Sequence, residues 1–138
     1  MAAWECVDGS EHTAWLRVNY DGIKAWATEL LAIDEDGDGL IEYPVSGNSG
    51  IWDEKFSKHA ANWWDDIGFG HKDAYANALA YPALFGMASM ARLVHRSEDV
   101  ALYSSRAQKL RSAYFQAFYD PATGVLAGWR SSDGQLHD

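Results

Sequence analysis

From Val100 to Phe118 apolar side chains return at steps of three and four residues, at Val100, Tyr103, Ala107, Leu110, Tyr114 and Phe118. Such a series falls on one face only when about 3.6 residues make a turn, so this stretch is a helix. Its flanks agree. Ser97 is a candidate N-cap, Glu98 and Asp99 suit the positive end of the helix dipole, and Asp120-Pro121 stops the run. A second stripe, Leu16, Ile23, Trp26, Ala27, Leu30 and Leu31, predicts a helix over residues 12–31. A third helix is predicted from about His71 to about His95, with Tyr75, Ala78, Leu79, Pro82, Phe85, Met90 and Leu93 on or near one face. Pro82 removes a backbone bond at a cost of about 3 kcal/mol, so a kink is expected there.

The regular parts of the chain are therefore all-α, and two of the long helices can pair as an antiparallel hairpin. Asp34 to Gly70 is different: it holds six of the twelve glycines together with Pro44 and Asn48, and reads as one long irregular loop. Loops of that length inside compact domains commonly carry function. After the last helix, DPATG and SSDG are turn signals around VLAGW, which predicts a short C-terminal hairpin. No internal repeat or low-complexity run interrupts this order. A chain of 138 residues suits one domain, residues 1–138.

Composition excludes several classes. A 48% hydrophobic fraction with seven tryptophans argues for a packed core against disorder. Twenty acidic residues against 11 basic ones give a net charge of -9, which repels phosphate backbones, so no nucleic-acid partner is expected. Cys6 is the single cysteine, which leaves no intramolecular disulfide and no thiolate metal cluster. No window approaches the roughly 20 apolar residues of a membrane span, and the N-terminus lacks a basic start followed by an apolar run. A soluble protein without a membrane partner is expected, its compartment left open.

Two constellations can carry chemistry. In IDEDGDGLIEY, Asp34, Asp36 and Asp38 alternate ahead of Gly39 and Leu40, which matches the first seven places of an EF-hand calcium loop. Side-chain oxygens would come from the three aspartates and a main-chain oxygen from Leu40. The twelfth place is Val45, so Glu42 or a distant residue has to complete the shell of a Ca2+ ion with a structural role. The alternative is an acidic turn whose aspartates bond only to backbone amides. The second constellation is NWWDDIGFGHKDAYANALAY. Trp63 and Trp64 offer flat faces for sugar rings, and Asp65 and Asp66 offer a proton donor or acceptors for hydroxyls. Here the alternative is a pair of core indoles and an aspartate cap. No serine sits in a nucleophile elbow, and no glycine pattern fits a phosphate loop.

Taken in order, the DxDGDGLIEYP loop, WWDDIGFGHKDAYANALAY, the alanine-rich helix pair and FYDPATGVLAGWRSSDGQLHD resemble the catalytic region of the six-hairpin glycoside hydrolases, over residues from about 12 to the C-terminus. That resemblance implies helical hairpins of an (α/α)6 barrel, incomplete here, with a long irregular loop and a short C-terminal hairpin. It places the general acid on Asp65, with Asp66 in reserve. It places Trp63, Trp64, His71, Lys72, Asp73, Tyr75 and Arg130 at the barrel mouth against a carbohydrate substrate, and Asp34, Asp36, Asp38, Leu40 and Glu42 in a calcium-binding or loop-shaping element. Glycoside hydrolysis needs a second carboxylate, and no residue of the chain is a convincing candidate. The rest of the barrel, or a second copy, is expected to complete the fold. The competing expectations are a noncatalytic carbohydrate-binding or calcium-stabilised helical module, and a helical interaction domain with both indoles in its core.

Overall fold

A computed structural model describes residues 2–10, 13–42 and 71–137. Four helices carry it: α1 (Ala2–Ser10), α2 (Thr13–Ala32), α3 (Ala74–Leu93) and α4 (Ser97–Phe118). The all-α expectation holds, with short strands as accessories. β1 (Lys72–Asp73) leads into α3, and β2 (Tyr119–Asp120), β3 (Val125–Leu126), β4 (Trp129–Arg130) and β5 (Leu136–His137) follow α4. β2 and β3 form one hairpin, while β1, β4 and β5 make a three-stranded antiparallel sheet in the order β1-β4-β5.

α3 and α4 are the antiparallel pair at the centre. Tyr103, Ala107, Leu110 and Phe118, expected on the α4 stripe, are all buried. Of the expected face of α3 Met90 is buried, but most of the rest is rotated away. Tyr75, Leu79, Phe85 and Leu93 are exposed, whereas Ala74, Asn77, Ala80, Leu84, Met87, Ala88 and Ala91 turn inward. These buried positions also recur at threes and fours; the alanines among them let the two helix axes approach, while Leu84, Met87 and Met90 supply the larger core side chains. α1 uses the same device: a Cβ on Gly86 would lie 3.0 Å from that of Trp4, so the helices touch nearly backbone to backbone. α1 itself carries no sequence signal strong enough to predict it.

Two further expectations are corrected. Trp26, placed on the α2 stripe, is 79% exposed and borders an apolar groove of about 360 Å3 shared with α1 and α3. Leu16 and Ala27 do go inside, together with Tyr20. Ser97 does not cap α4; it is the first helical residue, and Arg96 holds the cap position without a side-chain bond. The cause is the turn before it, where His95 takes a left-handed φ of 61° and Arg96 N bonds back to Ala91 O at 2.9 Å. That tight exit from α3 leaves no extended residue ahead of Ser97. Pro82 lies inside α3, which runs on through it as one helix.

α2 is tied to α4 by charge. Asp99 is buried in the first turn of α4 and accepts from Tyr20 Oη at 2.9 Å and Lys24 Nζ at 2.7 Å. Burial pushes the Asp99 carboxyl up, and the bonds from Lys24 and Tyr20 outweigh it, so its pKa lies below the ordinary value.

Candidate functional site

The C-terminal hairpin folds back onto the mouth of α3. β4 pairs with β1 in the register Lys72↔Arg130 and Asp73↔Trp129, and Ala74 N reaches Gly128 O at 2.9 Å. Residues far apart in sequence, His71 to Tyr75 and Trp129 to His137, are thereby brought to one helix entrance. Asp73 is fully buried with extended backbone, and its Oδ1 accepts from Tyr75 N at 2.7 Å and Ala76 N at 3.2 Å. It is the N-cap of α3. His71 has a left-handed φ of 33° and Nε2 3.5 Å from Glu42 Oε2. A non-glycine residue held there is strained, and such strain gathers at functional entrances.

On the sheet, Trp129 stacks on His137 with ring centres 3.8 Å apart and planes at 8°. His137 Nε2 is 3.0 Å from Ser131 Oγ, and that hydroxyl also contacts Asp133 and donates to Gln135 O at 3.2 Å. Serine, histidine and aspartate meet here, but the serine lies between the other two, and an aspartate bonded to the serine cannot orient the imidazole as a nucleophile's base. The cluster closes the Ser131–Gln135 turn. Arg130 Nε donates to Gly134 O at 3.2 Å, so its head lies over the same turn. Tyr75 is exposed beside this sheet.

The acidic loop packs against the other side of β1. Its entrance is fixed by Glu42 N to Ile33 O at 3.0 Å, and Ile41 is held on α3 by Asn77. Asp34 Oδ1 accepts from Gly39 N at 3.1 Å, Asp36 Oδ1 from Asp38 N at 3.0 Å, Asp38 Oδ1 from Leu40 N at 2.8 Å, and Glu42 Oε1 from Asp36 N at 3.0 Å. The remaining oxygens face side chains. Lys72 Nζ donates to Asp36 Oδ2 and Asp38 Oδ2 at 2.6 Å each, Arg106 Nη1 donates to Asp34 Oδ2 at 3.0 Å, and His71 faces Glu42. Lys109 Nζ donates to Gly37 O. The Lys72 bond holds the Asp36 carboxyl at about 2. Burial works to lower the Lys72 pKa, but the bonds to Asp36 and Asp38 raise it overall. Burial of Glu42 raises that carboxyl.

Asp34, Asp36, Asp38 and Glu42 each present an oxygen within 4.8 Å of the others, a set that can hold a metal ion by donor type and spacing. Leu40 is fully buried with its N-H on Asp38. A carboxylate oxygen that accepts a backbone N-H retains a lone pair for a metal. Asp36 Oδ2 and Asp38 Oδ2, however, are committed to an ammonium, and the ion would lie against it. Both readings of the loop thus appear in part: Asx-type turns to backbone amides are present, and so is a cation, supplied by Lys72.

Trp63, Trp64, Asp65 and Asp66 lie outside the described residues. Of the other expected sugar contacts, His71, Tyr75 and Arg130 stand at the entrance, while Lys72 and Asp73 are buried in structural roles. Trp129, His137, Asn77, Arg106 and Lys109 join the region without having been singled out. Asn77 left a signal, as the one strongly polar residue inside AYANALAY; Arg106 and Lys109 read as ordinary solvated helix positions.

A helical hairpin with a site assembled at a helix entrance from a preceding loop and a returning β-hairpin defines a helical-hairpin domain. The family model for the bacterial alpha-L-rhamnosidase six-hairpin glycosidase domain matches residues 1–136, and the chain belongs to that family. Comparison with the curated proteins finds no match. Among the described residues no helix is long and apolar enough to cross a membrane.

Proposed function

We propose that this domain hydrolyses a glycosidic bond, with Asp65 protonating the leaving oxygen through an oxocarbenium-like transition state. The observation that carries the reading is the match to a glycosidase domain over residues 1–136, nearly the whole chain. The family's description favours an α-L-rhamnoside as the sugar bound. The stretch bearing Trp63, Trp64, Asp65 and Asp66 runs directly into His71 and the entrance of α3, so the aromatic faces and the acid would share that mouth with His71, Tyr75 and Arg130. Indole walls would keep a carboxylic acid protonated for donation.

The opposing carboxylate comes in this reading from a further hairpin or a second copy, which also completes the barrel. Among the described acidic residues Asp73 caps a helix, and Asp34, Asp36, Asp38 and Glu42 are engaged in the loop. Calcium has the right donors in that loop, but no step of the reaction runs through it.

The test is Asp65→Asn in the enzyme that carries this domain. Hydrolysis of an alkyl rhamnoside, a poor leaving group, should fall by about a hundredfold or more, the range of lost general acid catalysis. A nitrophenyl rhamnoside should lose far less, because its leaving group departs as a stable anion. Equal losses on both substrates would remove Asp65 from the acid's role, and the same contrast at Asp66→Asn instead would move the role by one residue.

A further inference from the structure

The EF-hand-like pattern at Asp34 to Leu40 invites a divalent ion, but the surroundings of the loop are those of a site already neutralised. Every one of the eight oxygens of Asp34, Asp36, Asp38 and Glu42 has a donor or a basic group facing it. Two of those oxygens converge on one ammonium at 2.6 Å, and a third, Glu42 Oε1, lies 3.9 Å from it. That ammonium is not a surface charge resting on the loop. Lys72 is 6% exposed, and a lysine at that depth without carboxylate partners would be strongly penalised. Arg106 and Lys109 reach the loop from α4 as well, one at Asp34 and one at the Gly37 carbonyl. Three fixed cations around four carboxylates leave little unbalanced charge for a divalent ion to neutralise, and an incoming ion would meet like charge on two sides.

We propose that Lys72 is the resident cation of this loop, tethered in the place a divalent metal takes in loops of similar pattern. Because Lys72 pairs with Arg130 on β4 and immediately precedes the Asp73 cap, the same contact locks the loop to the strand that forms the entrance of α3. Lys72 is thus a positioning residue for that entrance. The loop's order comes from within the chain and does not depend on a metal supply. The inference does not rest on the glycosidase reading.

Calcium and a chelator test it on the protein directly. The melting temperature should be the same in chelator as in millimolar calcium chloride, since an ion that cannot bind the folded state cannot stabilise it. Lys72→Met keeps the length of the side chain and removes the charge; in chelator it should melt several degrees lower, and calcium should restore much of the loss. Calcium stabilisation of the wild-type chain as large as that of Lys72→Met would overturn the proposal, as would a folded Lys72→Met with no calcium response. Should the variant fail to fold, acetylation of the wild-type lysines decides. Lys72 should stay protected in chelator and in calcium while Lys24, also ion-paired but with its side chain 40% exposed, reacts as the comparison; acetylation of Lys72 in chelator as fast as that of Lys24, or its unmasking by calcium, would sink the idea.

Discussion

Asn77 grips Ile41 at both ends of its peptide face: Oδ1 accepts from Ile41 N at 2.7 Å, and Nδ2 donates to Ile41 O at 3.0 Å while also reaching Asp73 O at 2.9 Å. A side chain thus substitutes for a neighbouring strand and fastens the end of the acidic loop to the first turn of α3. All the polar atoms concerned are buried, so truncation leaves backbone groups unpaired as well as bonds lost. Asn77→Ala should therefore destabilise the fold by about 3 kcal/mol, as two orphaned buried groups imply. A denaturant midpoint within error of the wild type would show that water or a shifted backbone replaces the amide.

The Tyr20, Lys24 and Asp99 network sets a pH window. Asp99 titrates below its ordinary value in the fold, so its contribution is present above the unfolded carboxylate range of about 4 and is lost as pH falls through the folded pKa. Tyr20 and Lys24 are shifted the other way, Tyr20 chiefly by burial and Lys24 chiefly by its bond to Asp99. What they contribute is present below about 10 and lost as pH climbs past that. Stability measured by denaturant should show a plateau bounded on both sides, and Asp99→Asn should lower the plateau and flatten the acid limb. An acid limb as steep in Asp99→Asn as in the wild type would assign acid unfolding to other carboxylates.

Tyr103 is fully buried, yet its hydroxyl has no hydrogen-bond partner among the described residues. Thr28 is near enough to act on the Tyr103 hydroxyl, but it donates its own hydroxyl to Lys24 O at 2.9 Å, so at most a weak contact is left for Tyr103. An unpaired hydroxyl in the core is a cost that phenylalanine removes without changing the shape of the ring. Tyr103→Phe should be neutral or more stable by up to about 1 kcal/mol. A clear loss of stability in thermal melts would mean that the hydroxyl has a partner in solution.

The contrast between α4 and α3 shows what a single sequence makes legible. On α4 the periodic apolar residues Tyr103, Ala107, Leu110 and Phe118 are buried, with Leu102 and Phe115 exposed off the stripe, so their period gives the face directly. On α3 Tyr75, Leu79, Phe85 and Leu93 are exposed, and the packing surface is alanine and glycine interspersed with Leu84, Met87 and Met90, an inward face that depends on how closely α1 and α4 approach. That is a tertiary property, and the hydrophobic count does not choose between two faces that both carry large apolar residues. The acidic loop was legible as a cation-seeking shape from the spacing of Asp34, Asp36, Asp38 and Gly39. Its cation was not, because Lys72 sits 34 residues beyond Asp38 and meets it only through the fold. The burial of Lys72 and Asp73 was illegible for the same reason: a charged residue at a helix mouth reads identically whether it faces solvent, caps the helix or neutralises a loop.

Gly37 and Gly39 both take left-handed backbone, with φ of 73° and 97°, but their surroundings separate them. A Cβ on Gly37 would meet nothing within 4 Å, whereas one on Gly39 would lie 2.7 Å from Lys109 Cγ, whose side chain lies over the loop. Gly37→Ala therefore carries the backbone strain alone, about 1–2 kcal/mol for an alanine forced to positive φ. Gly39→Ala adds displacement of Lys109 and loss of its bond to the Gly37 carbonyl, so it should be the more damaging by about 1 kcal/mol. The difference isolates the lysine's part in the loop. In a Lys109→Ala background the clash is gone, and the two glycine substitutions should cost nearly the same in denaturant titrations. If Gly39→Ala stays the more harmful there, the excess lies in its larger φ and Lys109 plays no part in holding the loop.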